Sequence, residues 1–139
     1  VVIDASQYMD ADVFTFFSDV MLFEQTEVYQ GDDYVTGRMP VDERTVQPFG
    51  ILHGGSSVVL AETLGSMAAN WCLKDPDTVA VGLEINANHI RPVTKGWVYG
   101  TARPIHIGSS TQVWEIRMEN EAGKTTCHSR LTMAVTRRP

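Results

Sequence analysis

Between Gly54 and Leu73 the chain reads GGSSVVLAETLGSMAANWCL, twenty residues of which eleven are apolar and only Glu62 is charged. Two leading glycines, Gly65 and Asn70 interrupt the run too often for a membrane span. Val58, Leu60, Ala61, Leu64, Met67, Ala68, Trp71 and Cys72 recur at a period of 3.6 and wrap most of the way round. That pattern predicts a helix enclosed by other structure. Gly65, Ala68 and Ala69 are small enough to let a sheet or a second helix come close. A carboxylate in such a helix costs several kcal/mol unless it is paired, coordinated or protonated. Glu62 therefore has two readings: a structural carboxylate tied to an arginine or to backbone groups, or a group kept for chemistry.

The rest of the chain is organised around that helix. Phe14, Phe16, Phe17, Val20 and Met21 suggest a short amphipathic N-terminal helix, and residues 22–30 and 33–40 read as two strands joined by Gly31 and Asp32. Pro40 and the polar VDERTVQPFG then predict a loop. After KDPDT come four strand-like runs, 79–91, 97–107, 111–119 and 125–136, separated by the turn chemistry of residues 92–96, 108–110 and 120–123. Together these predict an α+β domain, a curved antiparallel sheet wrapped around one long central helix, with residues 1–139 forming a single domain. A single sheet on one helix leaves a face and an edge strand uncovered, which predicts at least a dimer.

Charge and cysteine usage exclude other classes. Eleven basic against seventeen acidic residues give a net charge of −6, with no basic block except Arg137 and Arg138, so nucleic acid is not an expected partner. No membrane association is expected, and the opening VVIDASQYMDADVF lacks the charged start and continuous apolar run of a secretory signal. Cys72 and Cys127 have no metal-ligand spacing and fit reduced cytoplasmic thiols.

The residues before the helix carry the functional reading. Gln47, His53, Gly54 and Gly55 place an amide, an imidazole and two glycines at its start. There the glycines admit a ligand, and the free N–H groups at the positive end of the dipole can polarise a carbonyl oxygen. Glu62 follows two and a half turns later, roughly 13 Å along the axis. One subunit's Glu62 and helix start are thus too far apart to share a small reacting group, and a site using both draws them from different subunits. Ser66 lies one turn beyond Glu62 on the same face. Taken alone, Ser66 reads equally as a serine bonded back to the carbonyl four residues earlier, and His53 as a polar loop end.

The segment QPFGILHGGSSVVLAETLGSMAAN resembles the signature of hotdog-fold acyl-CoA thioesterases. The branch is that of 4-hydroxybenzoyl-CoA and 1,4-dihydroxy-2-naphthoyl-CoA thioesterases. The resemblance extends through MPVDERTVQPFG, GLEINANHIRPV, RPIHIGSSTQVWEI and HSRLT, from about Met39 to Val135. It implies that Glu62 attacks the thioester carbonyl or activates water, and that the Gly54 N–H polarises that carbonyl. It further implies that Gln47 and His53 help to orient the thioester and that Ser66 positions the water. It places coenzyme A at His89, Ile90, Arg91 and Pro92, at the turn His106, Ile107, Gly108, Ser109, Ser110 and Thr111, and at Gly82. Arg91 suits a phosphate and the serine-rich turn a modest anion site, the lesser reading of Arg91 being an ordinary surface arginine at a strand end.

The resemblance implies an acyl-CoA substrate, no cofactor beyond the substrate's own coenzyme A, no metal, and a homo-oligomer with its active site at the dimer interface, commonly a dimer of dimers. The expected acyl group is aromatic, as in menaquinone biosynthesis, with a medium-chain or promiscuous acyl-CoA thioesterase as the alternative. Val58, Val59, Leu60, Phe49 and Met67 are the residues expected around it. A noncatalytic acyl-CoA binding module and a hotdog dehydratase are the other classes; the dehydratase His-Phe-Pro loop and the hydratase Asp-x-x-x-x-His motif are absent.

Overall fold

The computed structural model describes Val2–Ile3, Val28–Gln30 and residues 34–139. Within these the chain forms β1 (Val2–Ile3), β2 (Val28–Gln30), β3 (Val35–Val41), α1 (Gly54–Trp71), β4 (Thr78–His89), β5 (Gly96–Ile107), β6 (Thr111–Asn120) and β7 (Thr125–Arg137). The strands make one antiparallel sheet in the order β1-β2-β3-β5-β6-β7-β4. The helix thus carries the chain from β3 across the sheet to β4 at the far edge. The expected N-terminal helix lies outside the described residues, as do most of residues 22–30; β1 was not anticipated, because two residues carry no periodicity.

Alternation in sequence explains the core. Trp114, Ile116 and Met118 of β6 and Leu131 and Met133 of β7 face the helix and are nearly inaccessible. Val98 and Ala102 of β5 and Val35, Met39 and Val41 of β3 continue the same layer. The strand runs on through Pro40 to Val41, beyond the point where proline suggested a loop, with Pro40 opposite Trp97. Helix α1 packs on β3, β4, β5, β6 and β7 alike, so the sheet curves around it. Close approach is built in at Gly65, where a Cβ would stand 2.6 Å from Leu131 Cδ2.

Among the described residues the sheet covers one side of the helix, and the expected enclosure is seen on that side. Ser57, Leu60, Ala61, Leu64, Gly65, Ala68 and Ala69 form a single buried stripe. Val58, Met67 and Trp71 are half-buried, and Cys72 is an exposed C-cap. Glu62, expected to be buried, is half-buried on the flank of that stripe facing β4. Leu60 points into the core instead of lining an acyl pocket, since two helical positions from Val58 bring it round to the sheet side, while Phe49 is 90% exposed.

Three β-bulges interrupt the ladders, where one extra residue on a strand has no partner: Leu83 on β4, Ile105 on β5 and Thr126 on β7. Leu83 and Ile105 are turned to solvent, whereas Thr126 is 4% exposed.

Candidate active site

The loop entering α1 is held by its own backbone. Thr45 and Val46 donate to the Asp42 carbonyl, His53 N–H donates to the Thr45 carbonyl, and Val46 bridges Leu52. Arg44 grips the Asp42 carboxylate at 2.7 Å, and this hydrogen bond holds Asp42 below the usual carboxylate range. Gly50, at φ 79°, closes the turn that returns the chain toward the helix. Within that turn the Gln47 side-chain oxygen accepts the Phe49 N–H, so the amide NH₂ is the end left to donate.

His53 is the helix N-cap. Its Nδ1 accepts the Gly55 N–H at 2.8 Å, and its carbonyl accepts from Ser56 and Ser57. Among the described residues, Gly54 is the one member of the first four whose N–H has no partner. The imidazole of His89 packs directly on Gly54: a Cβ there would lie 2.8 Å from His89 Nε2. Gly54, Gln47, His89, Ile90, Arg91 and Pro92 line one cavity of about 400 Å³. Arg91 is anchored at its mouth by donation from Nη1 to the Thr125 carbonyl at 2.8 Å, leaving further N–H groups for an anion.

Other expected residues gather elsewhere. Glu62 lies against Gly82 at the β4 bulge; a Cβ on Gly82 would meet Glu62 Oε1 at 2.8 Å. Among the described residues Glu62 has neither an ion pair nor a hydrogen bond, so they contain no arginine or backbone tie of the kind the structural reading required. Ser66 Oγ is 3.9 Å from Met133 Sδ, and the bond back to the preceding turn is made instead by Thr63, to the Val59 carbonyl at 2.7 Å. The His106–Thr111 turn is exposed beside the C-terminal half of β7, where Val135 N–H donates to the Ser110 carbonyl. Since Ala80 opposes Val135 and His89 opposes Cys127, this turn and His89–Pro92 stand at opposite ends of β4, a strand roughly 35–40 Å long.

Two polar residues at the cavity, Ser57 and Thr126, escaped the sequence reading, as did the apolar Ile51, Leu52 and Val93. Ser57 carries a usable signal, being one helical turn from Gly54. Thr126 carries none, because its orientation follows from a bulge set by strand pairing.

A curved antiparallel sheet wrapped on one helix, with a cavity at the helix start, defines the hotdog class. Residues 49–127 match the family model of the thioesterase superfamily. The chain is 54% identical over 105 residues to 1,4-dihydroxy-2-naphthoyl-CoA hydrolase of Escherichia coli, a match covering 76% of each. It is 52% identical over 105 residues to the proofreading thioesterase EntH of Cronobacter turicensis, again covering 76% of each. A solved thioesterase of Haemophilus influenzae superposes with a TM-score of 0.80 at 43% identity, covering 93% of this chain and 92% of that one. The chain belongs to the thioesterase superfamily.

Proposed function

We propose that this protein hydrolyses acyl-CoA thioesters at a site completed by two subunits, the Gly54 N–H of one polarising the carbonyl and Glu62 of the other delivering the attack. The observation that carries this reading is the unpartnered Gly54 N–H, which shares a cavity with Gln47, His89 and Arg91. A thioester oxygen gains negative charge as it is attacked, and a donor fixed at the helix start stabilises that charge without reorganising. Glu62 serves either as nucleophile or as the base that activates water; both need a carboxylate with its oxygens unoccupied. His53, engaged as the cap, orients the Gly54 N–H indirectly, by holding the first turn.

Sharing between subunits is supported by the edge of β4. Asn70 caps the outward N–H and C=O of Ala80 at 3.0 Å each, and beyond it Val81 and Leu83 are exposed apolar residues. Antiparallel pairing of β4 with a second copy puts the His89–Pro92 end of one strand beside the Thr78–Gly82 end of the other. The same pairing brings the partner subunit's Glu62 and its His106–Thr111 turn toward the helix start, reuniting residues that one chain holds apart. A dimer of such dimers is the assembly we propose. No described helix is long and apolar enough to cross a membrane, and the two free cysteines suit a reducing, cytoplasmic setting.

The substrate we favour bears an aromatic acyl group such as 1,4-dihydroxy-2-naphthoyl, and hence a place in menaquinone biosynthesis, supported by the relative named for that hydrolysis. The relative named a proofreading thioesterase supports a second reading, removal of wrongly formed thioesters. Thiol release from a panel of aryl-CoA and fatty acyl-CoA thioesters tests both. Turnover that Glu62→Ala abolishes supports the hydrolase, and the ranking of acyl groups chooses between the readings. Folded protein that releases thiol from none of them overturns the proposal in favour of a binding module.

A further inference from the structure

Thr126 stands out as a buried polar group the mechanism above does not use. It is 4% exposed, yet its hydroxyl has no hydrogen-bond partner among the described residues. Threonine hydroxyls in such surroundings ordinarily find a partner, since leaving one unmet forfeits its hydration. The residue is the bulge of β7, the extra position between the pairs Cys127–Met118 and Thr125–Glu119. Its carbonyl accepts the N–H groups of both Ile90 and Arg91, at 2.8 and 3.2 Å. The residue lines the same cavity as Gly54, His89 and Arg91. The bulge turns its residue inward here, while those at Leu83 and Ile105 point outward.

Resting on the thioesterase reading, we infer that the Thr126 hydroxyl hydrogen-bonds an amide in the neutral arm of the thioester's thiol portion. One wall of the cavity binds the reacting carbonyl through Gly54, and its mouth offers Arg91 to an anion. The part of a coenzyme A thioester between sulfur and phosphates is uncharged and carries amides, each both donor and acceptor. A single desolvated hydroxyl beside Arg91 complements such an amide, and it donates or accepts without needing a countercharge. Thr126 is therefore a positioning residue for the substrate.

The test compares Thr126→Val, Thr126→Ala and Thr126→Ser with wild type on three thioesters of one acid: with coenzyme A, with N-acetylcysteamine, which retains an amide, and with a simple alkanethiol. Loss of one neutral hydrogen bond raises KM about threefold to tenfold. That rise is expected in the Val and Ala variants for the two amide-bearing substrates, with kcat kept, no rise for the alkyl thioester, and recovery in the Ser variant. The Val variant should melt no lower than wild type, because it removes an unsatisfied group. A rise equal for all three thioesters, no rise at all, or a lowered melting temperature with uniform loss of activity would overturn the inference. Wild-type protein inactive on all three would instead refute the thioesterase reading itself.

Discussion

In the proposed mechanism Glu62 and Gly54 act through what surrounds them rather than through their own strength as acid or dipole. Gly54 has no room for a side chain: a Cβ would press on His89 Nε2 at 2.8 Å. Gly54→Ala should therefore displace either the imidazole or the helix start, and a misplaced oxyanion donor costs about 10²-fold to 10³-fold in kcat. A steady-state assay on a CoA thioester checks this, with circular dichroism expected to be unchanged. Glu62→Gln keeps the shape against Gly82 and removes the charge; general-base chemistry predicts a loss of about 10²-fold to 10⁴-fold with KM little altered. Both residues were legible because a Gly-Gly pair at a helix start and one charge in an apolar run are local signals. His89 at Gly54, Thr126 in the cavity and the exposure of Glu62's flank were not, because each depends on which strand lies beside which.

At the scale of the element, the side chain of Asn70 fastens the outer edge of β4 to the helix. Asn70 accepts from the Ala80 N–H and donates to the Ala80 and Ser66 carbonyls, tying the end of α1 to β4. Asn70→Ala leaves these backbone groups without that partner and should destabilise the protein by about 1–3 kcal/mol, read from a denaturant midpoint. Gly65→Ala sets two effects against each other. Alanine favours the helix by about 1 kcal/mol, but its Cβ would meet the fully buried Leu131 at 2.6 Å. Overpacking against a core residue that cannot yield costs about 1–3 kcal/mol, so a lowered melting temperature is expected. The helix and the four later strands were readable because apolar spacing changes from 3.6 to 2 at KDPDT and turn residues separate each of those strands from the next. The order β3-β5-β6-β7-β4 was not, since periodicity fixes which face of a strand is buried and says nothing of its neighbours.

At the scale of the whole molecule, the proposed reading gives one chain two half-sites, the helix start and Glu62, set apart along α1. Light scattering on the purified protein should give a mass of at least two chains. Joining the halves across β4 is the central claim, and mixing inactive subunits tests it most directly. Glu62→Ala and Gly54→Ala chains, each alone inactive, are unfolded together, refolded and assayed for thiol release from an acyl-CoA. Random pairing makes half the dimers hybrid, each with one wild-type site and one doubly damaged site, so activity should return to about a quarter of wild type. Hybrid dimers that form and remain inactive would contradict a site shared between subunits.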